Sequence, residues 1–365
     1  MSAGAQALVL EAPLTLRTRE LQLPAIGDDD ALLRVEACGL CGTDHELYTG
    51  ELFPGYPLVP GHETIGVIEG IGRSAAQRWQ IAAGDRVAVE VIRRCGECDA
   101  CRAGRRCVRR GLADMYGFVP VDRPPGLWGG YAEAQYLAPD SQLLRVPAGL
   151  DPVVATLFNP VGAGIHWAVT LPGTREGDVV AVLGPGVRGL AAAAAASEAG
   201  AGFVMITGLG ARDAHRLAIA PDFGVDLAVD VSTTDPVAAL RAANGRLADV
   251  VVDVTAKAPD ALGHAVALAR PGGTIVLAGT RGRKAPSFDA DSVVLKELRI
   301  LGALGVDRPA YRSAFELLAS RRYPFDGLPR RVVGFDGIDA LLLDMAGEGA
   351  QPPVHGVLVP ESRSR

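Results

Sequence analysis

Four cysteines, Cys95, Cys98, Cys101 and Cys107, fall within one short segment of this 365-residue chain. Four thiolates at that spacing can surround one zinc ion tetrahedrally and leave no position open, which makes the role structural. A second set has a different character. Cys41-Gly42-Thr43-Asp44-His45-Glu46, followed by Gly61-His62-Glu63, gathers a thiolate, imidazoles and carboxylates among glycines that let the backbone turn tightly. These are the ingredients of a zinc site, although Cys41 or His62 taken singly reads equally as a buried side chain in an unrelated loop. A third set binds no metal. Gly184-Pro185-Gly186-Val187-Arg188-Gly189 follows the apolar run Asp178 to Leu183 and precedes Leu190 and six alanines, so it joins a strand to a helix. That is the context a dinucleotide fingerprint requires. Gly184 makes the turn, Gly186 lets backbone approach a pyrophosphate, Gly189 lets the helix pack closely, and the helix N-terminus faces the phosphates.

The elements that must position these groups differ along the chain. Residues 1 to 37 alternate short apolar runs with polar turns, the pattern of a β-rich domain. From about residue 175 strands and helices alternate, as in a parallel sheet covered by helices. The length suggests two domains, and 48% hydrophobic residues are ample for two cores. A net charge of −6 argues against a nucleic-acid partner, and the arginines around the cysteine lobe read as a solvated face or a subunit contact. The sequence shows no signal peptide and no apolar run of about 18 residues, so a soluble, cytoplasmic protein with no membrane partner is expected. All six cysteines lie between Cys38 and Cys107, and in that setting they read as metal ligands rather than disulfides.

Gly61-His62-Glu63 with Gly66, Gly72 and Ala75, behind Cys41-Gly42-Thr43-Asp44, resembles the medium-chain dehydrogenase/reductase superfamily, of the zinc-dependent alcohol dehydrogenase type that includes threonine and sorbitol dehydrogenase-like members. The resemblance implies an α/β chain. A chaperonin-10-like β-barrel catalytic domain would span 1–155 and 301–365, and a Rossmann doubly wound parallel sheet would span 156–300. It implies catalytic zinc on Cys41 and His62, with Asp44 hydrogen-bonded to the far nitrogen of His62 and Thr43 passing the alcohol proton. Relatives often carry a further histidine five residues after the cysteine. Here Glu46 stands there and His45 one place earlier, so either continues the relay or is simply a solvated side chain. The third ligand position falls on Asn159, whose neutral amide brings no charge to a dication. Cys41, His62 and Glu63 then hold zinc with Asn159 or water completing the shell, or the site is partly empty.

An acid is expected at the end of the second strand of the dinucleotide half, to accept the ribose hydroxyls of NAD. Gly208 stands there, with Arg212 and Arg216 nearby, which favours NADP over NAD, while Asp213 keeps NAD open. In relatives the backbone near Thr255 and Gly279 lines the nicotinamide. Phe53, Val91, Trp128 and Leu304 are candidate pocket walls. Cys38, without a second pair to complete a knuckle, and His215, His264 and His355 read as structural or exposed. His166 does too, although it lies closest to the Asn159 position. The activity implied is hydride transfer between a nicotinamide cofactor and a small alcohol, polyol or amino-alcohol or its carbonyl, in a homodimer or homotetramer with one catalytic and one structural zinc. A zinc-independent enone or quinone reductase and a non-catalytic NAD(P)-binding sensor are the alternatives.

Overall fold

The computed structural model describes residues 4–52, 54–103, 105–281, 286–348 and 352–360; Phe53 lies outside the described residues. Its strands are β1 (Gly4–Ala12), β2 (Thr15–Gln22), β3 (Ala31–Leu40), β4 (Glu63–Ile71), β5 (Arg86–Val89), β6 (Ala134–Leu137), β7 (Leu143–Arg145), β8 (Val179–Leu183), β9 (Phe203–Gly208), β10 (Leu227–Asp230), β11 (Ala248–Asp253), β12 (Ala269–Leu277), β13 (Arg299–Gly302), β14 (Arg330–Val333) and β15 (His355–Leu358). The chain forms two compact units, Met1–Phe158 with Phe325–Arg365, and Asn159–Pro324.

In the first unit one sheet runs β14-β15-β3-β4-β5-β7, with β6 also on β3, and β1 and β2 form a separate pair. β3 is the spine. Eight of its ten residues are buried, and it pairs with β4, β6 and β15. Leu33, Ile68, Val87, Tyr116 and Trp128 fill one core on this sheet, and each such side chain contributes about 1.5–3 kcal/mol by leaving water. Trp128 meets Tyr136 edge-on at 5.1 Å and carries the Arg93 guanidinium 5.0 Å over its ring, so its role is packing. Val91 likewise packs against a core cluster, whereas Leu304, in the second unit, is 68% exposed.

The second unit holds six parallel strands in the order β10-β9-β8-β11-β12-β13. Numbered within the unit this is 3-2-1-4-5-6, the doubly wound order whose switch point lies between its first and fourth strands. β8 and β11 are buried at every position, which explains their unbroken apolar runs. Behind β8 the helix Val187–Glu198 buries all six alanines, and their small size sets how closely it lies on the sheet. β13 pairs in parallel with β12, and Arg322 pairs with Glu198. The unit therefore extends to Pro324, past the return to the barrel expected at 301, and it begins at Asn159 rather than 156. One helical run, Pro152–Thr170, is long and apolar enough to cross a membrane by length and composition, and 72% of it is buried.

His355 opens β15 in a wholly internal network. Arg330 Nε donates to its Nδ1 at 2.9 Å, which leaves the proton on Nε2 to be given to Thr156 Oγ1 at 3.1 Å; that hydroxyl donates to Val153 O at 2.7 Å. Burial, and then the Arg330 charge, push the His355 pKa down to about 3. A folded pKa below the unfolded value of 6.5 means that the unfolded chain takes up the proton first. The stability from this network is full above pH 6.5 and is lost as pH falls toward 3. Urea titrations at pH 7.5 and 5 should differ by about 2 kcal/mol from this group, and His355→Gln should remove most of that difference.

Candidate metal centre and dinucleotide site

The antiparallel pairing of β3 and β4 sets Gly39 opposite Glu63, so the segments continuing from these strand ends carry Cys41 and His62 to the same place. Cys41 is the N-cap of the helix Gly42–Thr49: Thr43 N–H donates to its Sγ at 3.3 Å, and Cys41 N–H donates to Asp44 Oδ2 at 2.9 Å. This reciprocal cap fixes the sulfur at the start of the helix. His62 follows Gly61, whose φ of +92° and whose contact with the Tyr131 ring exclude a side chain. A Cβ on Gly39 would stand 2.5 Å from Glu63 Oε2, so that glycine makes room for the carboxylate.

The result is one buried group. Cys41 Sγ, a His62 nitrogen and a Glu63 oxygen all lie within 4.8 Å of one another. Cys41 Sγ is 3.2 Å from His62 Nε2, close to the edge of roughly 3.5 Å that zinc–sulfur and zinc–nitrogen bonds subtend at a tetrahedral ion. On the far side, His62 Nδ1 faces Asp44 Oδ1 at 3.5 Å, the arrangement that orients a metal-binding imidazole. Burial works against an imidazolium here, but Cys41 and Asp44 outweigh it and hold the His62 pKa well above its usual value. The site is therefore anionic in character and suited to a cation. These observations fit zinc, with three donors of sulfur, nitrogen and oxygen type.

Thr43, His45 and Glu46 sit half-buried on the helix that begins at the site. Asn159 belongs to the second unit, where its Oδ1 accepts the Tyr311 hydroxyl at 3.2 Å. Cys38 stays outside the metal-competent group. Its thiol lies 3.7 Å from Thr64 Oγ1, and burial pushes its pKa well up, so it remains a neutral core side chain.

Among the described residues the other metal-competent group is Cys95, Cys98, Cys101 and Cys107, again with all sulfurs within 4.8 Å. Cys95 and Cys101 are 3.9 Å apart, against about 3.8 Å for the edge of a tetrahedral four-thiolate site. Amide N–H groups of Cys101 and Val108 lower the Cys98 pKa to about 6. Among the flanking arginines, Arg93 and Arg110 pair with Asp140, Arg94 with Glu90, Arg102 with Asp99 and Arg109 with Glu97, which disperses their charge.

In the second unit the fingerprint has the shape its chemistry needs. A Cβ on Gly189 would collide with the Gly184 carbonyl, whereas one on Gly186 would meet nothing within 4 Å, leaving its backbone open. Val187 begins the helix. Gly208 ends β9 under Pro185: a Cβ there would lie 2.9 Å from Pro185 Cγ and 3.0 Å from Asp213 Cβ. Asp213 accepts Leu209 N–H at 3.0 Å and pairs with buried Arg216 at 2.9 Å, while Arg212 is exposed. Thr255 and Gly279 lie just past β11 and β12. Between them runs a network that sequence reasoning missed: buried Asp253 accepts Thr255 N–H and Oγ1–H and the Arg281 guanidinium, which also donates to the Thr255 and Gly279 carbonyls.

Comparison with known proteins agrees with both halves. Residues 27–148 match the alcohol dehydrogenase GroES-like domain and residues 188–320 the zinc-binding dehydrogenase domain. A probable alcohol dehydrogenase of Mycobacterium tuberculosis is 68% identical over 99% of this chain and 100% of its own length. The L-threonine 3-dehydrogenase of Saccharopolyspora erythraea is 35% identical over 82% of this chain and 84% of its own. Among solved structures, a zinc-binding dehydrogenase from Sinorhizobium meliloti 1021 bound to NADP matches with a TM-score of 0.84 and 29% identity, over 98% of this chain and 100% of its own.

Proposed function

The chain belongs to the zinc-dependent alcohol dehydrogenase type of the medium-chain dehydrogenase/reductase superfamily, and from that membership we propose that it moves hydride between an alcohol, polyol or amino-alcohol and NADP, with Cys41, His62 and Glu63 as the ligands of its catalytic zinc. The observation that carries the reading is the buried sulfur, nitrogen and carboxylate group, with Asp44 behind the imidazole. When bound, zinc lowers the pKa of an alcohol oxygen and polarises a carbonyl, and the nicotinamide takes or gives the hydride. The chain's own residues do the rest. Asp44 keeps the His62 ring turned so that Nε2 points toward Cys41, the Thr43 N–H holds the Cys41 sulfur in place, and Thr43, on the same helix turn, is placed to take the alcohol proton. His45 or Glu46 continues that path outward. Cys95, Cys98, Cys101 and Cys107 hold the structural zinc. A panel of alcohols, polyols and amino-alcohols assayed with NAD and with NADP tests the reading; absence of zinc-dependent turnover across the panel would reject it.

The NADP preference rests on Gly208 and Arg212. The crowding over Gly208 leaves no room for the acid that would accept ribose hydroxyls, and Asp213 is committed to Leu209 and Arg216. Arg212, in the first turn of the helix Gly210–Ile219, is placed to pair with a 2′-phosphate. Arg212→Ala should lower kcat/KM for NADP by about tenfold or more and leave NAD nearly unchanged, as read from initial rates with each cofactor. For assembly, the supporting feature is the β13 edge of the sheet. Ile300 and Leu304 are 37% and 68% exposed there, and Val294 and Leu295 just before it are 75% and 81% exposed, an apolar edge of the kind a second copy covers.

A further inference from the structure

The fingerprint needs only its glycines, yet its fifth position is an arginine. Arg188 is the second residue of the helix Val187–Glu198, whose first turn contains no acid. A cation at a helix N-terminus opposes the positive end of the helix dipole, an arrangement that becomes favourable once an anion is bound between them. The side chain is also braced. Its guanidinium lies over the ring of buried Trp167 at 5.8 Å, and Trp167 Nε1 donates to Gly305 O at 3.1 Å. Gly305 follows β13, so the indole is anchored at the carboxyl edge of the sheet, the edge from which the helix itself starts. The stack on Trp167 fixes one face of the guanidinium, and its planar N–H fork suits two phosphate oxygens.

We propose that Arg188, held by Trp167, is an additional ligand of the cofactor pyrophosphate, supplying charge to a subsite otherwise made of backbone N–H groups. This rests on the nicotinamide-cofactor reading above. Because NAD and NADP share the pyrophosphate, loss of Arg188 affects both alike, which sets it apart from Arg212. The test is direct binding, by nicotinamide fluorescence, of NADH and of NADPH to the intact zinc-loaded protein. Arg188→Gln should raise both dissociation constants by the same factor, about tenfold or more, and flatten their rise with added salt. Arg188→Lys, which keeps the charge but not the fork, should recover part of the loss. Trp167→Phe, a smaller ring without the Gly305 hydrogen bond, should weaken both cofactors by a smaller factor. Wild-type protein that binds both cofactors while Arg188→Gln stays within twofold of it would overturn this inference alone. A loss confined to NADPH would overturn it too, by placing Arg188 at the 2′-phosphate. Wild-type protein that binds neither cofactor would overturn this inference together with the reading on which it rests.

Discussion

His62→Ala is expected to take zinc from two ions per chain, one for each metal-competent group, to one, and to lower turnover by about a thousandfold or more. His62 is the cleaner target in this site. Cys41 is also the N-cap of its helix and receives the Thr43 N–H, so its replacement would disturb the helix and the metal together. His62 supplies one nitrogen toward Cys41 and one toward Asp44, and Asp44 Oδ2 keeps its bond from Cys41 N–H when the imidazole is gone. The metal supplies several kcal/mol of charge stabilisation to the reaction, and about 1.4 kcal/mol corresponds to each factor of ten in rate. Elemental analysis of wild type and variant, purified without added metal, gives the first half of the result, and initial rates give the second. A variant that keeps two zinc ions and its rate would remove His62 from the ligand set. A wild type with a single zinc, retained in the Cys95 to Cys107 lobe, would mean that three donors without a charged fourth hold the catalytic ion only weakly.

What the sequence disclosed, and what it concealed, follows from how local each feature is. Both metal-competent groups left a signal in the sequence, the four cysteines by their spacing and Cys41 with His62 by the motifs of the resemblance. The four cysteines span thirteen residues, and the β3 to β4 pairing brings Cys41 and His62 together across a gap of twenty-one. The fingerprint was legible because a strand, a glycine turn and an alanine-rich helix are consecutive. The domain return was misplaced because Leu298 to Gly302 reads as a strand of either unit, and only its hydrogen bonds to β12 assign it. At Asn159 the sequence showed only a position; that its side-chain oxygen accepts the hydroxyl of Tyr311, 152 residues away, is a bond no local pattern announces. The same holds for the His355 network, which joins Val153, Thr156 and Arg330 to a histidine that the sequence showed only as isolated. Asp253 did leave a signal: a carboxylate ending the run Val250 to Val252 must be buried with its strand, and a buried carboxylate requires a partner.

That partner makes Arg281→Ala the substitution with the largest expected loss of stability, about 3–5 kcal/mol at neutral pH in urea titrations. Asp253 has no side-chain exposure and Arg281 only 13%, so removing the guanidinium strands a carboxylate in a site that water does not reach. Solvent screening therefore does little to soften the loss, in contrast to the exposed pairs Arg102–Asp99 and Arg109–Glu97, which should each matter by less than about 1 kcal/mol. The pH dependence identifies the mechanism. Burial already holds the Asp253 pKa above 3.8, even though Thr255 and Arg281 act to lower it. Without Arg281 it rises further. A carboxyl whose folded pKa exceeds its unfolded value binds the proton more tightly when folded, so stability is regained as pH falls toward 3.8 and lost as pH rises through the folded pKa. Arg281→Ala should thus recover part of its deficit on acidification, the opposite of the trend expected from His355. Asp253→Asn together with Arg281→Ala should be more stable at pH 7 than Arg281→Ala alone, because no charge is then left buried. A deficit independent of pH would instead assign the loss to the hydrogen bonds that Arg281 gives the Thr255 and Gly279 carbonyls just past β11 and β12.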